Sequence, residues 1–355
     1  MFLGVFRGAA LAAALGMTAV WGLVAAFALP VLSGGQAGQV FSWRWLPDAG
    51  QFGILPMLAG SLALSLLALS LALPLALGLA CRLRLDAARG GASPVLRLVR
   101  GMTTIPTVVY GFSSLFLLIP LLRAAAGGSG LCWLAAALVL ALLILPTIVL
   151  VMDAALEAVS RRTALTATAL GFSPAQHLAW VALPAARTWL FSAGMLGFGR
   201  AVGDTLIPLM LSGNAAQTPH SLLAPLRTLS AHMGLATATE AGSAAYNSLF
   251  IAAALLCGIS VLTSLILRRI TARPGGEAGG ISLRLRWLPT ALRGLAATSI
   301  LVVGGCVGTL LLFLLWRGLP SLGTTLFFGD TPALAAILGQ QQVWDGIWPA
   351  CVGTL

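Results

Sequence analysis

The chain has 355 residues, of which 59% are hydrophobic and only 8% charged, with a formal net charge of +11 and a mean hydropathy of +0.99. So few polar groups could not cover a water-soluble globule of this length, so composition excludes one and points to an integral membrane protein. All twenty basic residues are arginine, and without lysine the chain has no Walker phosphate loop, whose G-K-[ST] end needs one.

Apolar runs of about 20 residues, the length a helix needs to cross the bilayer, predict spans at 9–32, 54–81, 105–122, 131–152, 189–210, 249–267 and 295–316. An eighth begins at Ile347 and is cut off at Leu355, which suggests a fragment or a truncated reading frame. The first run follows an arginine and contains "AFA" at 26–28, but at about 24 apolar residues it exceeds a signal-peptide core and is read as an uncleaved span. With the N-terminus cytoplasmic and the spans alternating, fifteen arginines fall inside, four (Arg44, Arg123, Arg227, Arg317) outside, and Arg200 within the membrane. The positive-inside rule therefore fixes the orientation. The positive charge reports topology and anionic lipid, not nucleic acid.

In chain order, the third span opens on "TTIPTVVYG", where Pro106 should break the helix near its start and leave backbone groups for a neighbour or a water-lined cavity to satisfy. Gate element and packing kink are both open there, and Tyr110 is a candidate pathway hydroxyl. The loop at 153–188 is Ala-rich and helical, with a break at Gly171 and a Leu-Pro at 183–184; its single histidine, His177, has no second imidazole or thiolate nearby and reads as a surface or packing group. A helix-turn-helix lying along the membrane here would suit a partner protein. In the span 189–210, Arg200 lies about 16 Å along the helix from Trp189, near the midplane. Asp204, four residues on, is one turn away and is expected to reach its guanidinium. Two readings follow: an ion pair that fixes packing, or an anion contact oriented by Asp204.

Residues 268–287 are rich in Arg and Gly and read as a cytoplasmic linker. Beyond them the chain repeats itself: "GILPMLAGSL" at 53–62 and "GIWPACVGTL" at 346–355 share a pattern 293 residues apart, and "RGAA" at 7–10 and "RGLA" at 293–296 open the preceding span in each copy. This predicts a six-span unit over 1–275, a linker over 276–292 and the start of a second unit over 293–355. Cys81, Cys132, Cys257, Cys306 and Cys351 lack metal-site spacing and read as small packing residues. With nine acidic residues, no D-x-x-D pattern and three scattered histidines, a membrane-embedded enzyme is disfavoured.

The loop resembles that of ABC importer permeases, E-A-A-x-x-x-G, nine residues, then I-x-L-P: here Gly171, nine residues, then Val181, Ala182, Leu183 and Pro184. Leu165-Thr166-Ala167 stand where the family has E-A-A. Within that superfamily the chain is most similar to phosphate permeases of the PstC type, through "FGILPMLAGSLALSLLAL", "TTIPTVVYGFSSL" at 103–115, "GRAVGDTLIPLMLSGN" at 199–214, "LRTLSAHM" at 226–233 and "AYNSLFIAA" at 245–253. Asp204 stands where that family has Glu. The part after residue 290 resembles the start of the PstA-type partner permease.

The resemblance implies an all-α polytopic fold, one six-helix type I importer unit plus the start of a second. It implies no covalent chemistry and no cofactor. It implies an inner-membrane permease for phosphate that works with a dimer of ABC ATPase subunits, a periplasmic binding protein and a second permease unit, in the same or another chain. Arg200, Asp204, Thr205, Tyr110 and Thr104 would line the pathway; Gly171, Val181, Leu183 and Pro184 would form the ATPase-coupling loop. Another oxyanion, such as molybdate, tungstate or sulfate, is the alternative cargo.

Overall fold

The computed structural model describes residues 2–33, 37–46, 49, 51–88, 90, 93–239, 243–272, 287–321, 323–329, 331–337, 343 and 346–354. Most of the predicted 276–292 linker, with Arg284 and Arg286, lies outside them.

Fifteen α-helices follow one another among the described residues: α1 (Phe2–Ser33), α2 (Ala37–Val40), α3 (Leu55–Ala87), α4 (Pro94–Thr104), α5 (Thr107–Ala126), α6 (Trp133–Ala169), α7 (Pro174–His177), α8 (Leu183–Gly203), α9 (Leu206–Leu211), α10 (Leu229–Thr239), α11 (Ser243–Ala272), α12 (Leu288–Gly318), α13 (Thr324–Phe328), α14 (Ala333–Ile337) and α15 (Trp348–Thr354). A two-residue antiparallel pair, β1 (Trp45–Leu46) and β2 (Gln51–Phe52), is the one sheet described. Among the described residues six stretches are long and apolar enough to cross a membrane: Arg7–Leu29, Leu55–Ala87, Thr107–Ala126, Trp133–Ala169, Ser248–Ile270 and Leu288–Gly318. The chain is an all-α polytopic membrane protein.

The predicted span at 189–210 is not among the six. α8 stops at Gly203, Asp204 is extended (φ −72°, ψ 131°), and α9 restarts at Leu206. The cause is Pro208: its ring excludes the carbonyl four residues earlier, that of Asp204, and it has no N–H to offer it. A second proline break falls where expected, between α4 and α5 at Ile105–Pro106.

Two compact units form, Met1–Gly305 and Cys306–Leu355. In the first, α3, α6 and α8 pack together as the core. Lipid tails give apolar side chains little reason to leave them, so helices in a membrane associate through small residues that allow close approach. Gly60, Ser61, Ser65, Ala68, Ala72, Ala76 and Gly78 accordingly form the buried side of α3, and Ala135, Ala136, Ala137 and Ala141 that of α6. A Cβ added to Gly197 of α8 would lie 2.5 Å from Ile148 Cδ1 of α6. α1 is almost wholly exposed and touches α11, where Phe27 stacks on Phe250 at 4.8 Å.

The sequence repeat has a local structural counterpart in each unit. Ile54 donates its N–H to Val40 O at 2.9 Å just before α3, and Ile347 donates to Leu326 O at 3.1 Å just before α15. A Cβ on the preceding residue, Gly53 or Gly346, would overlap the backbone of Ser42 or Phe327 respectively. Both copies of G-I-x-P thus need glycine because a carbonyl crosses over it.

Candidate translocation and coupling sites

The two proline breaks share a solution. Pro106 strands the carbonyl of Met102, and Tyr110, buried on α5, donates its hydroxyl to that oxygen at 3.1 Å. Pro208 strands the carbonyl of Asp204, and Ser230 of α10 donates its Oγ to it at 2.8 Å. Tyr110 therefore lies 2% exposed with its hydroxyl already engaged. Thr104 is exposed at the end of α4, and its hydroxyl donates back to Gly101 O at 2.8 Å.

The expected Arg200–Asp204 ion pair does not form. Because the helix ends at Gly203, Asp204 is not one turn above Arg200; its Oδ2 accepts the N–H of Ile207 at 2.9 Å and caps the first turn of α9. Thr205, half-buried, lies between the two helices. Arg200 is exposed and donates from Nη1 to Thr147 Oγ1 of α6 at 2.9 Å. Thr147, Ser230 and the α9 cap were not identified from sequence, although a proline four residues after Asp204 was a readable signal for the break.

In the loop, α6 continues to Ala169 and closes with a left-handed glycine. Gly171 has φ +74°, its N–H donates to Thr168 O, and the Phe172 N–H donates to Ala167 O, both at 3.0 Å. This is a Schellman ending, which needs a residue free to adopt positive φ. Ser173 then opens α7 with a reciprocal capping box to Gln176, and a π-helical turn (Leu178–Ala182) leads into α8. His177 Nε2 lies 2.7 Å from Thr163 Oγ1, fastening α7 to α6, and burial lowers its pKa below the ordinary imidazole value. Val181 and Leu183 are half-buried and Pro184 is exposed. Leu165, which replaces the family's acidic residue, is 86% exposed, and Leu170 is 65% exposed. The loop thus presents an apolar face.

An ion network missed in the sequence braces the root of this loop. Arg84 of α3 donates to both oxygens of Asp153 at 2.6 and 2.9 Å and lies 3.4 Å from Glu157, and Arg161 holds Glu157 from its other side, with Nε 2.9 Å away. The signal was the spacing of Asp153 and Glu157, one turn apart in a chain with so few acids. Among the described residues no cluster of three or more His, Cys, Asp or Glu is placed to hold a metal.

Compared with models of known protein families, the chain matches none. Individual proteins do match. It is 29% identical over 234 residues to the probable ABC transporter permease protein YqgH of Bacillus subtilis, covering 65% of this chain and 76% of that one. It is 29% identical over 294 residues to the phosphate transport system permease protein PstC of Mesorhizobium japonicum, covering 71% and 89%. Over 259 residues it is 29% identical to the PstC of Xylella fastidiosa strain 9a5c, covering 66% and 80%. The fold is that of an all-α polytopic membrane protein, and the proteins it is similar to are permeases of ABC transporters, PstC-type phosphate permeases among them.

Proposed function

We propose that the chain is the permease subunit of an ATP-driven importer of inorganic phosphate in the bacterial inner membrane, with its N-terminus in the cytoplasm. Partner ATPase subunits hydrolyse ATP and dock on the loop around Gly171, Val181, Leu183 and Pro184; a periplasmic binding protein delivers phosphate. Residues 1–275 form one permease unit and 293–355 open a second.

The observation that carries this reading is Arg200. It lies in a core helix, hydrogen-bonds one threonine, has no carboxylate partner among the described residues and remains exposed. An arginine in a span belongs against a pathway or a polar neighbour, and its fork matches phosphate oxygens. Asp204 caps α9 beside it, with Thr205 in the α8–α9 break; Tyr110 bridges the α4–α5 break, with Thr104 at the end of α4. In this reading the pathway role of Asp204 and Tyr110 is to position these ends of helix, with Arg200 meeting the anion.

The test is radiolabelled phosphate uptake into vesicles holding the full transporter. Arg200→Ala should assemble normally, since among the described residues it releases the hydrogen bond to Thr147 alone, and should lose uptake by at least tenfold. Near-normal uptake by this variant would refute the assignment.

A further inference from the structure

Where the apolar run of α3 gives way to Arg82 and Arg84, a cavity of about 240 Å3 opens between three elements. Arg82 and Leu85 of α3, Pro174 of α7, and Arg293 and Ala296 of α12 line it. The beginning of α12 is fixed against α3 by close packing: a Cβ on Gly78 would overlap Ser299 Oγ and lie 2.7 Å from Leu295 O. Leu292, Ala296 and Ser299, on one side of α12, are buried.

The charges in the cavity do not cancel. Arg82 Nε lies 2.9 Å from Asp86 Oδ1, and the other oxygen of Asp86 accepts a hydrogen bond from Ser93. Arg293 is exposed and has no acidic partner among the described residues. Two guanidinium groups thus share one carboxylate, and the remaining walls, Leu85, Pro174 and Ala296, are apolar. Guanidinium forks suit phosphate oxygens, and basic pockets between membrane helices at the headgroup level hold lipid phosphates. Both α3 and α12 are spans, and the cavity sits at the end of the apolar run of α3, where headgroups lie.

We propose that this cavity is a binding site for an anionic phospholipid, with the lipid phosphate between Arg82 and Arg293. It is separate from Arg200 and does not depend on the transported cargo.

The test uses the full chain purified in detergent and titrated with phosphatidylglycerol, phosphatidylcholine or inorganic phosphate, with bound lipid read by native mass spectrometry. Saturable binding of phosphatidylglycerol over phosphatidylcholine is expected. Arg293→Gln, which breaks no ion pair among the described residues, should weaken it about fivefold, the effect of ~1 kcal/mol per arginine at a membrane surface. Arg97→Gln with Arg100→Gln, on the exposed side of α4, should leave it unchanged. Three results would overturn the proposal: unaltered affinity in Arg293→Gln, an equal loss in the α4 variant, which would indicate diffuse attraction, or displacement of the lipid by inorganic phosphate at the same site.

Discussion

Tyr110 and Ser230 carry polar atoms into apolar surroundings, and in each case the hydroxyl serves a carbonyl that a proline stranded. A buried carbonyl left without a donor costs about 1–3 kcal/mol, so Tyr110→Phe and Ser230→Ala should each lower the stability of the purified protein by roughly that amount. A thermal-unfolding midpoint unchanged in both variants would mean that water serves those carbonyls. For Asp204 the capping geometry separates charge from hydrogen bonding. Asn can accept the Ile207 N–H as Asp does, whereas Ala cannot and should cost about 1 kcal/mol. Asp204→Asn is therefore expected to assemble like the wild type and Asp204→Ala less well. Equal loss in both would show that the negative charge itself, acting on nearby Arg200, is what matters. The sequence expectation of an Arg200–Asp204 pair one turn apart fails because it carries helical spacing through a segment that Pro208 interrupts.

The loop element was more legible. Its glycine, the nine-residue spacing and the Leu-Pro were all visible, and the structure supplies the reason for the first: Gly171 is left-handed. Open space surrounds it, so a β-branched substituent meets no clash and pays only the backbone cost of positive φ, about 1–2 kcal/mol. Gly171→Val should lower transport-coupled ATP hydrolysis while insertion stays normal, and Gly171→Asn, which tolerates that conformation, should restore it. Failure of Asn to differ from Val would place the defect elsewhere. What stayed hidden was long-range: the Thr163–His177 contact and the Arg84 network depend on which sides of α3, α6 and α7 meet. A pH prediction belongs to another element, α10. There His232 is buried against Trp45, ring centroids 4.4 Å apart, and burial together with Arg227 lowers its pKa to about 4. The folded state therefore disfavours the proton. Stability should be full above the ordinary imidazole value of about 6.5 and fall as pH drops from there towards about 4. His232→Gln should flatten unfolding midpoints across that window; an unchanged slope would remove His232 as the cause.

At the scale of the molecule, the arginine distribution predicts an orientation that labelling can check. In a background lacking the five native cysteines, Leu165→Cys and Gln217→Cys, both exposed, should react from opposite sides of the membrane, with Leu165 on the cytoplasmic side. Labelling of both from one side would overturn the topology. Apolar run length made most of the spans readable, and it failed at 189–210 because hydropathy does not register a break that costs no apolar residues. α6 shows what such a break spares. Its 37 residues make a rod of about 55 Å, nearly twice the ~30 Å hydrocarbon thickness. The α4–α5 and α8–α9 segments beside it are jointed; α6 is continuous, with the loop around Gly171 at its tip and Thr147 partway along the shaft. Such a rod has the reach of a lever. Thr147 stands about 33 Å from the tip, so pivoting the shaft there by ~5° would carry its hydroxyl about 3 Å, enough to part it from Arg200. If so, a disulfide between Thr147→Cys and Arg200→Cys should leave ATP hydrolysis running while reduction of that bond alters nucleotide-dependent movement of a spin label beside Thr147. A label equally mobile in both states would show that no stroke passes through this point.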